Sequence, residues 1–228
     1  DNRVPGMNAW FGTEFNRHNT WFEQGAHWMD YLRRCQHLLQ QGSYVADVCY
    51  VISENTPIMT GVTDPPLPKG YSYDYINAEI ILNDMKVKDG KLVLSSGASY
   101  HLMVLPPLDT MRPAMVKKLK KLVKQGGAIY GPKPLKSPSM EDYPKSDAQV
   151  RKAADWVWGK DYSDGELYLG HGKGRVFNGA DLQTVLNELG VAKDVDLNHK
   201  SVLWTHRTQP GMDIYFLTNQ SNDTVNIA

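Results

Sequence analysis

Three short apolar runs constrain this chain more than any other feature: "SYVADVCYVI" (43–52), "YHLMVLPPL" (100–108) and "AIYG" (128–131). Each is too short for a buried helix, rich in β-branched and aromatic residues, and nearly continuous instead of alternating with polar residues. A strand of that kind is buried on both faces, which is the mark of a parallel sheet. Between the second and third runs, "DTMRPAMVKKLKKLVKQGG" carries a helical stripe of Met115, Val116, Leu119, Leu122 and Val123. Asp109 or Thr110 stands near its cap, Pro113 in its first turn and Gly126-Gly127 at its end. Further along, "DYINAEIILND" (74–84) reads as a helix opening on Asp74. "KVKDGKLVL" (86–94) reads as a hairpin turning on Asp89-Gly90, and "SDAQVRKAADWVWG" as a helix capped by Ser146 or Asp147. "GELYLGHGKGRVFNG" is a second hairpin, and "ADLQTVLNELG" a helix ending at Gly190. Strands alternating with helices through short connections predict an α/β fold with a doubly wound parallel sheet over residues 43–195.

The two ends depart from this rhythm. Residues 1–19 have no helical or strand period. Trp28, Leu32, Cys35 and Leu39 then mark one face of a helix near 20 residues long, which Asn19 or Thr20 can cap and Gly42 can close. Residues 196–228 hold three strand-like runs joined by Pro210-Gly211 and Asn222-Asp223, an antiparallel pattern that stops in mid-course at Ala228, as expected of a chain cut from something larger.

Lys and Arg together number 25, as do Asp and Glu, so the formal charge is zero and nothing points to nucleic acid or an anionic membrane surface. The run Lys117, Lys118, Lys120, Lys121 and Lys124 lies opposite an apolar helix face and reads as its solvated side. Cys35 falls on a helix stripe and Cys49 within a strand, and both are expected as free thiols. No apolar run is long enough for a transmembrane helix. The opening "DNRVPGMNAWFG" lacks the regions of a signal peptide, which in a fragment says nothing about export of the whole protein.

The common nucleotide, zinc and hydrolase signatures are absent. "GHGKGRV" (170–176) has the glycines of a phosphate loop, but no Ser or Thr follows Lys173 and a strand follows instead of a helix, so it reads as a turn. His27 and His37 lie on the first helix, and His199 and His206 near the terminal strands with no acidic partner evident in the sequence. No metal site is expected from this chain.

"GTEFNRHNTW" (12–21) is different in kind: Glu14, Arg17, His18, Asn19 and Trp21 crowd together immediately before a helix. Such a mixture suits a carbohydrate site, where an aromatic face stacks on a sugar ring and polar groups bond its hydroxyls, although a polar capping loop has the same composition. The stretch from "GTEFNRHNTWFEQGAHWMDYLRRCQHLLQQGSYVADVCYVISENTP", continued in order by "GYSYDYINAEIIL", "YHLMVLPPLDTMRP" and "GGAIYGPKPLKSPS", closely resembles a segment of the large bacterial α-L-rhamnosidase-type glycoside hydrolases.

That resemblance implies a parent in which a (β/α)8 barrel carries catalysis, an α/β domain follows, and β-sandwich domains come after. Residues 1–42 would be the last loop and helix of the barrel, 43–195 the α/β domain, and 196–228 the start of a β-rich domain. The α/β part also resembles the flavodoxin-like, class I glutamine-amidotransferase-like domain that trimerises barrel-type β-galactosidases, without an amidotransferase nucleophile. The parent would hydrolyse terminal α-L-rhamnosyl linkages of plant glycans with inversion and with calcium, in the periplasm or outside the cell. Inversion needs an acid and a base carboxyl roughly 6.5–9.5 Å apart. Glu14 is the one candidate here, with Arg17, His18, Asn19 and Trp21 as substrate contacts. The chain itself is expected to be an accessory, non-catalytic domain, whose partners are the adjoining barrel and sandwich and, through the parent, carbohydrate. The alternatives are an independent glycan or small-molecule module built on the loops after Ile52 and Gly131, or an oligomerisation domain presenting Trp156, Trp158 or the first helix.

Overall fold

The computed structural model describes residues 19–55, 60–162 and 165–227. Contacts divide the chain into two compact units, one of residues 1–43 with 206–216, the other of residues 44–205 with 217–228.

In chain order the elements are α1 (Gly25–Leu39), β1 (Ser43–Tyr44), β2 (Val48–Val51), β3 (Tyr73–Ile76), α2 (Ala78–Asn83), β4 (Lys86–Lys88), β5 (Lys91–Val93), β6 (Ser99–Tyr100), β7 (Leu102–Val104), α3 (Pro113–Lys124), β8 (Ala128–Tyr130), α4 (Lys145–Trp158), β9 (Leu167–His171), β10 (Gly174–Asn178), α5 (Leu182–Glu188), β11 (Val202–Gln209) and β12 (Met212–Asn219). The large unit is built on a six-stranded sheet of order β3-β2-β7-β8-β10-β9. The first five strands are parallel and β9 is antiparallel to β10. A small antiparallel sheet, β4-β5-β6, lies between β3 and β7 in the chain. The fold is therefore mixed α/β, with a parallel-containing sheet and antiparallel sheets beside it.

Successive residues of a strand point to opposite faces, and here each set enters its own core. Cys49, Val51, Met103, Leu105, Ile129 and Val176 pack with Leu119 and Leu122 of α3, Val150 and Val157 of α4 and Ile81 of α2. Val48, Tyr50, Leu102, Val104, Ala128, Tyr130 and Phe177 pack with Leu182, Val185 and Leu186 of α5. This explains why the apolar runs are continuous: no strand face was left for polar residues. Met115, Val116, Leu119, Leu122 and Val123 are all buried, as the stripe requires, and the opposite lysines are exposed or half-buried. Gly174 sits where β10 meets the end of α3. A Cβ there would lie 2.0 Å from the Val123 carbonyl oxygen, so only glycine permits the approach.

Several sequence expectations shift. Asp74 does not cap a helix; it lies in β3, its carboxylate accepting from the Tyr100 hydroxyl at 3.0 Å, and the cap of α2 is Asn77, whose Oδ1 accepts from Ile80 N. The N-cap of α3 is Arg112 and that of α4 is Pro144, neither with a side-chain cap. Asp147 instead accepts from Ser137 N at 2.9 Å. Trp158, considered for an exposed surface, is 1% exposed, with its indole nitrogen donating to Gly131 O at 2.8 Å. Trp156 stacks on His171 at 4.4 Å and lies under the Lys120 ammonium. Both cysteines are free, and burial raises the Cys49 thiol far above its ordinary pKa.

In the small unit, α1 runs 15 residues, shorter than its apolar period suggested, and only Gly25 is buried. Trp28, Met29, Tyr31 and Leu38 are all exposed. Arg207 of β11 donates to the carbonyls of Gln41 and Gly42 just beyond the helix. His206 does have an acidic partner, Asp213 at 3.0 Å, brought opposite by the turn at Pro210-Gly211, and its ring stacks on Tyr215 at 4.1 Å. β11 and β12 form the terminal hairpin; the third run, after Asn222, forms no strand among the described residues.

Leu119→Ala, at the centre of the larger core, is expected to lower stability by about 2–4 kcal/mol. Gly174→Ala is expected to cost at least as much because β10 must move away from α3. Guanidinium unfolding followed by circular dichroism measures both, and wild-type midpoints would refute this account of the packing.

Candidate functional site at the carboxyl ends of the sheet

From β2 the sheet grows to β3 on one side and to β7, β8 and β10 on the other. Where a parallel sheet reverses its order of growth, the loops leaving the strand ends diverge and open a crevice. Here that crevice lies beyond β2, β3 and β7. It is lined by Ile52, Thr60, Val62, Asp64, Tyr75 and Pro106, and has a volume of about 110 Å³, space for a few waters. A neighbouring recess of about 280 Å³ is formed by Ser53, Glu54, Asn77, Glu79 and Arg112.

Two strand tyrosines hold the loop after β2 over the sheet. The Tyr50 hydroxyl donates to Pro65 O at 2.8 Å, and the Tyr75 hydroxyl accepts from Gly61 N at 3.1 Å. Burial is the main reason that Tyr50 ionises far above the ordinary tyrosine range; nearby Tyr75, Tyr73 and Asp64 add to it, against a hydrogen bond with Thr63. The three rings of Tyr50, Tyr73 and Tyr75 lie within 5.4–6.2 Å of one another, centre to centre.

The loops after β2, β7 and β8 are stitched together by polar side chains. Glu54 accepts from both the backbone nitrogen and the Nε of Arg112, the residue that begins α3, so its carboxylate meets a guanidinium and a helix N-terminus at once. Asn55 Nδ2 donates to Thr110 Oγ1 at 3.3 Å. Asp109 pairs with Lys136 at 3.5 Å, and its carbonyl accepts from Leu135 N. Lys133, almost fully buried, donates to the carbonyls of Gly159 and Lys160 and pairs with Asp155 at 2.8 Å. Glu54 is thus engaged with Arg112. Among the described residues no group of three His, Cys, Asp or Glu could hold a metal ion, and no helix is long and apolar enough to cross a membrane.

Of the residues singled out before α1, Glu14, Arg17 and His18 lie outside the described residues. Asn19 and Trp21 share one turn: Asn19 Oδ1 accepts from Trp21 N at 3.1 Å, and the Trp21 ring lies over Gly25, where a Cβ would come within 3.1 Å of it. Asn19 therefore shapes the turn ahead of the helix; the N-cap of α1 is Gln24. The Glu54–Arg112 pair escaped the sequence reading because its partners are 58 residues apart and only the sheet order brings them together.

These features define a mixed α/β unit whose loops, braced by their own side chains, cover the carboxyl ends of a parallel sheet. The family model for alpha-L-rhamnosidase, Glyco_hydro_106, matches residues 1–228, and the chain belongs to that family. It is 34% identical over 222 residues to a Formosa agariphila protein named "Putative beta-glucuronidase", covering 97% of this chain and 18% of that protein. It also superposes on the structure of a rhamnosidase from Novosphingobium sp. PP1Y with a TM-score of 0.75, at 29% identity, over 91% of this chain and 20% of that one. The chain therefore spans about a fifth of the length of each of these relatives.

Two outcomes check this geometry. Glu54→Gln leaves the Arg112 guanidinium without its charge partner and is expected to cost about 1–2 kcal/mol, a loss read from urea unfolding; an unchanged midpoint would show that the latch contributes nothing. For Tyr50, the folded pKa is raised above the unfolded value near 10. Its stabilising contribution is complete below that pH and declines above it, because the unfolded chain loses a proton that the folded chain keeps. The decline is at most about 1.4 kcal/mol per pH unit per tyrosine, and Tyr50→Phe should make the alkaline limb of the stability–pH curve shallower.

Proposed function

We propose that this chain is an accessory, non-catalytic α/β domain of a carbohydrate-active enzyme that hydrolyses terminal α-L-rhamnosyl linkages of plant glycans. The observation that carries the reading is the family match over residues 1–228 combined with coverage of only a fifth of the relatives. The braced strand ends are consistent with it, since Glu54 is committed to Arg112. On this reading residues 1–42 are the end of a catalytic barrel, 43–195 the accessory domain and 196–228 the start of a β-rich one. Glu14, Arg17, His18, Asn19 and Trp21 would face sugar only when the barrel is complete, any calcium would belong to the parent, and the parent would act in the periplasm or outside the cell.

The parallel strands, numbered along the chain, lie in the order 2-1-3-4-5, which supports a flavodoxin-like domain of the glutamine-amidotransferase-like kind. One difference stands out: no helix is seen between β2 and β3 among the described residues, where the long Tyr-pinned loop runs instead. The exposed apolar face of α1 supports packing against a neighbouring domain or a second copy of the chain, the burial of each large side chain being worth roughly 1.5–3 kcal/mol. A second reading, cleavage of a glucuronosyl linkage by the parent, is favoured by the name of the Formosa agariphila relative.

The test uses aryl α-L-rhamnoside and aryl β-D-glucuronide. The 228-residue chain is expected to turn over neither, and the full-length polypeptide to release aglycone from the rhamnoside. Turnover by the chain alone, abolished by Glu14→Gln, would sink the accessory role, and turnover of the glucuronide alone by the longer polypeptide would transfer the assignment to the second reading.

A further inference from the structure

A second concavity of the large unit has no lining residue in common with the strand-end crevice. It is a groove of about 640 Å³ between the loop at 63–73 and the segment at 193–204. Its walls are fixed to each other. Gly70 O accepts from Asp194 N at 2.9 Å and Val195 N at 3.2 Å, and the Tyr71 hydroxyl donates to Val191 O at 3.2 Å. Gly70 has φ +88°, and a Cβ there would meet Val195 O at 2.4 Å, so the junction requires glycine.

The lining combines half-buried rings with ammonium groups. Tyr73 and Trp204 supply the rings, and Tyr73 is held edge-on by Tyr50 at 5.6 Å and Tyr75 at 5.4 Å. Lys69, Lys193 and Lys200 supply the charge, against Asp196 as the only acidic lining residue among the described residues. Lys193 pairs with Asp196 at 3.5 Å, whereas no ion pair is seen for Lys69 or Lys200 among the described residues. Three cations less one anion leave a local charge of +2 on a chain whose total is zero. Such an excess attracts anions, and rigid ring faces among polar groups suit the CH faces of pyranose rings.

We propose that this groove binds an acidic oligosaccharide, with Trp204 and Tyr73 stacking on sugar rings and Lys69 and Lys200 meeting their carboxylate or sulfate groups. The proposal rests on the reading that the parent acts on glycans, and it adds that the glycan is charged. A volume of 640 Å³ falls in the range of drug-sized ligands and admits a short oligosaccharide. Single-stranded nucleic acid also pairs aromatic faces with cations, but it follows long basic tracks, whereas three lysines in one groove match a short charged chain better.

The test is calorimetric titration of the 228-residue chain, at low salt, with four probes: a trigalacturonate, its methyl ester, a sulfated trisaccharide and a short oligothymidylate. The acidic sugars are expected to bind, with the methyl ester at least about tenfold weaker and with affinity falling as salt screens the charges. The two acidic probes tell carboxylate from sulfate recognition. The double variant Lys69→Gln, Lys200→Gln, and separately Trp204→Ala, should each weaken binding about tenfold or more, while circular dichroism melting, unchanged for the exposed lysine pair, verifies folding. Equal binding of the ester, no effect of the lysine pair, preference for the oligothymidylate, or no binding at all would each overturn the proposal. The outcome is separable from the parent's activity: full-length polypeptide that cleaves the rhamnoside while the groove ignores acidic sugars would refute the groove alone.

Discussion

Burial of both faces of the parallel sheet is the constraint on which the rest of the large unit depends. Val48, Cys49, Leu102, Met103 and Ile129 are all essentially inaccessible, and their alternating side chains belong to two separate cores. A strand sealed on both sides can leave polar chemistry only at its ends, because a buried side chain without a hydrogen-bond partner is costly. The polar residues of interest accordingly lie beyond the strand termini, at Ser53, Glu54 and Asn55 after β2 and at Asp109, Thr110 and Arg112 after β7.

The same constraint explains why the strand-end loops satisfy one another. Tyr50 is the point where core and loop meet: its ring belongs to the α5-side core and its hydroxyl holds Pro65. Tyr71 and Tyr130 repeat the device, each donating from the same core to a loop carbonyl, Val191 and Ala180 respectively. An amphipathic ring can be buried at one end and hydrogen-bonded at the other, so these tyrosines fix loop positions where no helix is seen between β2 and β3 among the described residues. One of the loops fixed in this way forms a wall of the Lys69–Trp204 groove.

The small unit presents the opposite economy. α1 has an apolar period but leaves Trp28, Met29, Tyr31 and Leu38 open. The periodic signal and the observed exposure agree if the face is made for surfaces beyond this chain, in keeping with coverage of a fifth of each relative. The His206–Asp213 pair with its Tyr215 stack orders the hairpin of the same unit from within.

Legible in the sequence alone are the parallel sheet, the hairpin at Asp89-Gly90, the buried stripe and solvated lysine face of α3, the glycine turn at 172–173 and the kinship to α-L-rhamnosidases. These are local signals, of period, turn chemistry and ordered motifs, each legible within a few tens of residues. Strand order, the joining of β9 and β10 to the main sheet, and the division of strand residues between two cores were decided only by tertiary structure, as were the Glu54–Arg112 latch and the Lys69–Trp204 groove. Periodicity shows that Val104 and Ile129 are buried but not that they face different helices, since register and sheet order depend on pairings between distant segments. Asp74 departs from the sequence expectation for the same reason. An Asp ahead of an apolar run is a plausible helix cap, and only the Tyr100 hydroxyl, 26 residues away, makes it a strand residue with a partner.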